Sequence, residues 1–184
     1  MPATKPIGDP RGFCAKSIRP IDRRVVSRVV NDESGLRLAF GVAKRAREHG
    51  NHPFGAVLVG RDGEILLDAE NGYLPERDMT AHAERLLATA ASRQYRPDKL
   101  ANCTMYVSAE PCAMCAGAIY WAGIGRVVYG LSERRLKKLT GNHAENPTLD
   151  LPCRAVFAAG QRKVDVAGPL LEDEAAALHA GVWD

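Results

Sequence analysis

Two short segments contain the side chains best suited to chemistry. Glu84 follows His82 by two residues, and Cys115 follows Cys112 in a Cys-x-x-Cys pair. Each segment stands at the predicted start of a helix, where the positive end of the helix dipole favours thiolates. One imidazole and two thiolates favour zinc over magnesium or calcium. Three protein ligands leave the fourth tetrahedral position open, as at catalytic zinc sites.

Glu84 is the candidate catalytic residue. It lies too close to His82 in sequence for comfortable joint ligation, but it can reach a water molecule on the metal. Zinc lowers the pKa of such a water to about 7, and a nearby carboxylate can take the proton and return it as a general acid. Taken alone, Cys112 and Cys115 are equally consistent with a structural zinc site or a buried pair of cysteines. The presence of the His-x-Glu segment weakens this alternative.

The composition is that of one ordinary globular domain, with 184 residues, 46% hydrophobic and 26% charged. No apolar run approaches the roughly 20 residues of a membrane span. The N-terminal region has no apolar stretch typical of a secretory signal, so we expect a cytoplasmic protein. Five cysteines, an odd number, argue against a disulfide framework. We expect Cys14, Cys103 and Cys153 to be structural.

Charge divides the chain into two regions. Residues 1–31 contain seven Lys or Arg and two Asp, whereas residues 32–184 contain 18 basic and 20 acidic side chains. We therefore expect a basic N-terminal arm over 1–31 and a catalytic domain over 32–184. A protein that grips nucleic acid usually has a basic body, so this distribution argues against a nucleic-acid partner.

Hydrophobic periodicity and turn signals predict alternating helices and strands. Asp32 or Ser34 can cap a first helix that ends at Gly50, and Asp62-Gly63 forms the turn of a hairpin. The other predicted elements are strands over 56–59, 65–67, 104–108, 126–129 and 164–166, helices over 80–92, 114–122 and 172–179, and a basic helical turn after Gly130. This alternation predicts an α/β fold, a three-layer α/β/α sandwich with a mixed five-stranded sheet.

The motifs resemble the zinc-dependent cytidine deaminase superfamily, whose signature is His-x-Glu and Pro-Cys-x-x-Cys. The resemblance covers about residues 32–131, with matching segments at 52–57, 80–84 and 110–115. It is similar to the branch that contains guanine deaminase, the tRNA adenosine deaminases and fungal-type cytosine deaminase. The resemblance implies that His82, Cys112 and Cys115 bind one zinc ion per chain and that Glu84 transfers protons.

The same resemblance implies three contacts to the base. Asn71 matches an asparagine that hydrogen-bonds the base, Phe54 matches a residue that stacks on the ring, and the backbone N–H of Ala83 would contact the base. Phe54 as a core aromatic and Asn71 as part of a simple turn are the alternatives. Among the other histidines, His52 is the most interesting because it lies near Phe54.

Two further segments hold candidate substrate contacts. The loop over 141–154 lies where guanine deaminase places an acidic residue, so Glu145 is a candidate and His143 a weaker one. At the end of the sequence, the indole of Trp183 can close a pocket while the carboxylate of Asp184 meets an N–H of a base. Alternatively, Trp183 only anchors the tail to the surface.

The resemblance therefore implies a hydrolytic deaminase that releases ammonia from a free nucleobase or nucleoside, with a guanine-like purine expected first. A tRNA wobble-adenosine deaminase, a cytosine or cytidine deaminase, and a non-catalytic zinc-stabilised binding module are the alternatives. The acidic helix over 172–179 would repel phosphate and argues against tRNA. The family implies a homodimer, for which the apolar helix bearing Tyr120 and Trp121 can form an interface. We expect no membrane partner.

Overall fold

The strands form a single mixed sheet. This computed structural model describes residues 18–19, 31–141 and 143–183, in which the strands are β1 (Ile18–Arg19), β2 (Gly55–Val59), β3 (Ile65–Glu70), β4 (Thr104–Ala109), β5 (Arg126–Leu131) and β6 (Asp165–Ala167). Their order across the sheet is β1-β3-β2-β4-β5-β6. β2 is antiparallel to β3 and β4, whereas β4, β5 and β6 are parallel. The five predicted strands are present, and β1 adds a short edge strand from within the predicted arm.

Helices cover both faces of this sheet. They are α1 (Asp32–Glu48), α2 (Ala83–Gln94), α3 (Pro97–Leu100), α4 (Ala113–Ala122), α5 (Glu133–Thr140), α6 (Cys153–Ala158) and α7 (Glu172–Ala177). One apolar core contains residues of α2, α4 and α6, and the other contains residues of α1 and α7. The predicted three-layer α/β/α sandwich is confirmed. None of the described helices is long and apolar enough to cross a membrane.

The parallel pair β4 and β5 brings the loops after these strands to one edge of the sheet, because the carboxyl ends of parallel strands meet there. The buried carboxylate of Glu110, directly after β4, accepts the backbone N–H of Glu133 and that of Cys153, each at 3.1 Å. It therefore joins the first residues of α5 and α6 to the segment that carries Cys112.

One predicted helix cap and one predicted helix start are wrong. α1 begins at Asp32, but its N-cap is Asn31 rather than Asp32 or Ser34, and the Asn31 side chain accepts the backbone N–H of Ser34 at 2.8 Å. The second predicted helix begins at Ala83 rather than Thr80. Its first residues form a turn instead, because the Asp78 carboxylate accepts both the backbone N–H and the hydroxyl of Thr80.

The sequence analysis does not predict α3 and α6. Both helices are too short for hydrophobic periodicity to be visible, with four and six residues. α6 lies in the region predicted as a polar loop, where buried Cys153 and Phe157 anchor it against the core. Tertiary contacts therefore determine this helix more than local sequence does.

The close approach of α1 to the start of β2 yields a stability prediction. A Cβ atom at Gly55 would lie 2.5 Å from the backbone nitrogen of Ala43 and 2.6 Å from the carbonyl oxygen of Ala39. We expect Gly55→Ala to lower the free energy of unfolding by about 2 kcal/mol, because α1 must move away from the sheet. Chemical denaturation measures this change.

Gly41→Ala is the matched control, because a Cβ atom at this exposed position inside α1 meets nothing within 4 Å. We expect the free energy of unfolding of this variant to rise by up to about 1 kcal/mol, because Ala has a higher helix propensity than Gly. Equal effects of the two substitutions would contradict the packing argument.

Candidate active site

Three donor atoms meet where two helices begin. His82 is the N-cap residue of α2 and Cys112 is the N-cap residue of α4, with Cys115 in the first turn of α4. N-cap side chains commonly bond to their own helix, but here those of His82 and Cys112 face each other. His82 Nδ1 lies 3.7 Å from Cys112 Sγ and 3.6 Å from Cys115 Sγ.

These distances fit a tetrahedral zinc ion. With Zn–S of about 2.3 Å and Zn–N of about 2.05 Å, a tetrahedral angle separates nitrogen and sulfur by about 3.6 Å. All three donor atoms lie within 4.8 Å of one another. Within the described part of the chain, these three residues form the candidate metal site. One imidazole and two sulfurs are also the donor set that zinc prefers.

The electrostatics of the cluster prepare one of its two sulfurs for metal binding, whereas the contact with Cys112 raises the pKa of the Cys115 thiol. The Cys115 thiol and the His82 imidazole lower the pKa of Cys112 to about 4, so that Cys112 is a thiolate at neutral pH. The Cys112 side chain, in turn, raises the pKa of His82. Cys112 therefore supplies the deprotonated sulfur that a metal requires.

Glu84 lies next to this cluster and is almost completely buried, at 7% exposure. Its Oε2 atom is 3.8 Å from Cys115 Sγ. Burial raises the pKa of Glu84 to about 7, against the attraction of His82. A carboxyl group with a pKa near neutrality can both take and give a proton, which is the property that general acid–base catalysis needs.

A small cavity of about 30 Å³ adjoins His82. It is lined by three predicted substrate contacts (Phe54, Asn71 and Glu145), and by His52, Tyr73, Asp78, Met79 and Asn146. A volume of this size holds one or two water molecules rather than a nucleobase. The walls of the cavity must therefore move apart before a heterocyclic ring can enter.

The predicted contacts Ala83, Asn71 and Asp184 stand differently in the structure. Ala83 is buried as the first residue of α2, where helical N–H groups have no partner within the helix. The alternative role of Asn71 was a simple turn, and Asn71 does form one, because its Oδ1 accepts the N–H of Tyr73 at 3.1 Å. Asn71 also lines the cavity, so the two roles are compatible. Asp184 lies outside the described residues.

Trp183 packs against His52, which lines the cavity. Its ring centroid lies 4.8 Å from that of His52 and 5.4 Å from that of His143. Its indole Nε1–H donates a hydrogen bond to Nδ1 of His179 at 3.2 Å. Phe54 is half-buried between the cavity and this tail, with its ring 5.2 Å from that of His179. The structure thus shows the anchoring of the tail, whereas a lid role for Trp183 stays a prediction.

The sequence analysis missed Tyr73, Asp78, Met79 and Asn146 as cavity residues. Their positions in loops gave no periodic signal, and Asn146 reaches the cavity only through the folding of the 143–150 segment. His52, noted for its proximity to Phe54, pairs with Glu145, with 3.0 Å between His52 Nε2 and Glu145 Oε2. No spacing rule could have linked two residues so distant in sequence.

Comparison with known proteins identifies similar sequences and folds. Residues 29–131 match the model of the cytidine and deoxycytidylate deaminase zinc-binding region. The chain is 41% identical over 153 residues to a protein named "Probable cytosine deaminase" of Schizosaccharomyces pombe, with 83% of this chain and 93% of the relative covered.

Solved structures give a parallel result. Guanine deaminase from Nitrosomonas europaea superposes with a TM-score of 0.67 at 25% identity, over 82% of this chain and 84% of that one. A deaminase studied for A-to-I editing at position A34 of tRNA superposes with a TM-score of 0.60 at 32% identity, over 79% and 99% of the two chains.

The tail over the cavity should respond to pH through His179. Burial, with the nearby charges of His52 and Arg47, lowers the pKa of His179 to about 4. The unfolded tail binds this proton near pH 6.5, so docking loses stability as the pH falls from 6.5 to about 4, by up to about 3 kcal/mol. We expect the fluorescence of Trp183 to report undocking across this range.

The measurement uses a Trp121→Phe background, which leaves Trp183 as the one tryptophan of the chain. His179→Phe keeps a ring at this position but removes the titrating group, so the transition should disappear. A transition that persists in His179→Phe would contradict the assignment of the titration to His179.

Proposed function

The chain belongs to the cytidine and deoxycytidylate deaminase family and is a zinc-binding deaminase, and we propose that its substrate is a free nucleobase or nucleoside. A guanine-like purine is the first candidate. The single observation that carries the proposal is the small cavity beside His82, with the aromatic tail at Trp183 packed against its lining residue His52. A small pocket of this kind suits a small molecule more than a base that remains attached to a polynucleotide.

Charge near the tail supports the same proposal. The first turn of α7 contains Glu172, Asp173 and Glu174, and α7 packs in the core that contains α1. Carboxylates repel the phosphates of RNA. The basic residues of the predicted arm over 1–31 would offset this repulsion, but of these only Arg19 lies among the described residues. That 32–184 forms the deaminase domain, and that the protein is cytoplasmic, remain predictions.

In this proposal each site residue has one role. His82, Cys112 and Cys115 hold zinc, which when bound supplies a Lewis acid that makes water a better nucleophile. Glu84 accepts one proton from the attacking water and delivers it to the ring nitrogen. It then takes the second proton, from the hydroxyl that has added to the ring carbon, and delivers it to the amine, which leaves as ammonia as the C–N bond breaks. Its burial beside Cys115 excludes bulk water from this transfer. The products are the hydroxy or oxo heterocycle and ammonia.

Orientation of the base is assigned to the cavity walls. Phe54 offers a ring face, Asn71 and the N–H of Ala83 offer polar contacts, and Glu145 offers a carboxylate. Trp183 closes the mouth after entry, and Asp184 would follow it. Phe54, Asn71 and Glu145 line the cavity, Ala83 directly follows His82, and Trp183 packs against His52. Asp184 lies outside the described residues.

Cytosine is the second candidate substrate. The fungal relative named as a cytosine deaminase is 41% identical and covers most of both chains, which favours a pyrimidine. The similarity to guanine deaminase and the acidic Glu145 at the cavity favour a purine. Ammonia release from guanine, guanosine, adenine, cytosine, cytidine and a tRNA anticodon stem-loop separates these candidates. Release only from the stem-loop would contradict the small-molecule proposal.

Substitution of Glu84 tests the catalytic assignment. We expect Glu84→Gln to retain zinc and to lower kcat by roughly 100-fold to 10,000-fold, because the amide cannot accept or return the proton. Zinc content is measured on the same sample. Glu76→Gln is the control, since this carboxylate is exposed and its loss should leave kcat unchanged. Undiminished ammonia release from a zinc-loaded Glu84→Gln variant would exclude the proposed proton transfer.

We also propose that the protein is a homodimer through α4. The exposed face of this helix contains Met114, Gly117 and Trp121, with Trp121 82% exposed and open space around Gly117. Tyr120 faces inward instead, where its hydroxyl accepts the N–H of Gln161 at 3.0 Å. Large exposed aromatic side chains are typical of interface centres.

We expect Trp121→Glu to convert the dimer into a monomer, because it places a charge at the centre of the proposed interface. Light scattering coupled to size-exclusion chromatography measures the mass. Leu139→Glu is the matched control, since Leu139 is an exposed apolar residue on α5 rather than α4. A monomeric wild-type protein, or a Trp121→Glu variant that remains dimeric, would exclude α4 as the interface.

A further inference from the structure

We infer that the side-chain amide of Asn146 is a specificity-determining hydrogen-bond donor for the substrate. This inference rests on one part of the proposed function, the binding of a base in the cavity, and not on the release of ammonia. Asn146 lines the cavity beside Glu145, and its Nδ2 atom is buried without a hydrogen-bond partner among the described residues. A buried amide donor left unpaired costs roughly 1–3 kcal/mol. A base that accepts this hydrogen bond removes that cost.

His52 positions the segment that carries Asn146. Its Nε2 atom lies 3.0 Å from Oε2 of Glu145, and the ring of His52 packs against those of Tyr73 and Trp183. Glu145 is 58% exposed, and ion pairs at such positions contribute little stability. The His52–Glu145 pair therefore acts on geometry rather than on stability, because it holds residues 145 and 146 in one orientation.

Local hydrogen bonds complete this positioning. The backbone N–H of Asn146 donates to the carbonyl oxygen of His143 at 3.1 Å, and the N–H of Glu145 donates to Nδ1 of His143 at 3.3 Å. The ring of His143 also packs edge-on against Trp183. The donor is thus held between the tail and the start of β2.

The pair of neighbouring side chains defines which heterocycle edge fits. The carboxylate of Glu145 accepts an N–H, and the amide nitrogen of Asn146 donates to a ring nitrogen or a carbonyl oxygen. Together they complement an edge on which an acceptor atom stands beside an N–H. A site built to hydrogen-bond one atom rejects an analogue that lacks it, because the buried group of the protein is then left unpaired.

The test compares bases with analogues that lack one acceptor. 7-Deazaguanine lacks a ring nitrogen of guanine, 2-aminopurine lacks its carbonyl group, and 4-aminopyrimidine lacks the carbonyl group of cytosine. Dissociation constants are measured by calorimetry in the zinc-loaded Glu84→Gln protein, so that turnover does not interfere. We expect at least one analogue to bind roughly 10-fold to 100-fold more weakly than its parent base. Asn146→Ala should remove most of this difference.

Two controls separate recognition from a structural role. Asn102→Ala removes an amide that donates to the carbonyl oxygen of Asp98 outside the cavity, and it should preserve the discrimination. His52→Phe should weaken discrimination, and His52→Gln, which retains a donor toward Glu145, should restore part of it. The melting temperature of each variant is measured alongside.

The outcomes are distinguishable. The inference is wrong if Asn146→Ala weakens the binding of the parent base and of its analogues equally. It is also wrong if the protein with intact Asn146 binds every analogue as tightly as the parent base. If the discrimination is present but the protein with Glu84 intact releases no ammonia from any base, the proposed function fails and the inference stands. If no base binds at all, both fail.

Discussion

Convergence of two helix N-termini is the constraint on which the rest of the site depends. α2 begins at His82 and α4 at Cys112, and packing of these helices on one face of the sheet brings an imidazole and two sulfurs within 4.8 Å. Glu110 supports the arrangement of these ligands, because its buried carboxylate accepts the first backbone N–H groups of α5 and α6. A polar group at the carboxyl edge of parallel strands thereby supports a metal centre.

Burial connects this metal centre to acid–base chemistry. Glu84 lies in the first turn of α2, two residues after the ligand His82, so the packing that gathers the ligands also removes the carboxyl group from water. Desolvation then raises its pKa to about 7. The same packing leaves only a small cavity between His82 and the tail at Trp183. Catalytic groups and substrate access are therefore controlled by one set of contacts.

Much of the fold could be predicted because its signals are local. The hairpin at Asp62-Gly63 and the helix of Ala and Leu residues after His82 depend on neighbours a few residues apart. The errors occur where a competing side-chain bond decides the outcome, as when Asp78 holds Thr80 in a turn. The helix α6 was missed because its stability comes from the burial of Cys153 and Phe157 rather than from its own pattern.

By itself, the sequence determined the donor set, the neighbouring carboxylate and the order of helices and strands, since each depends on residue type and short spacing. Only the tertiary structure decided how the pocket is closed. It placed Trp183 on His52, paired His52 with Glu145, and left the amide of Asn146 buried without a partner among the described residues. Burial and partnership between distant segments arise from packing, which short spacing in a sequence does not encode.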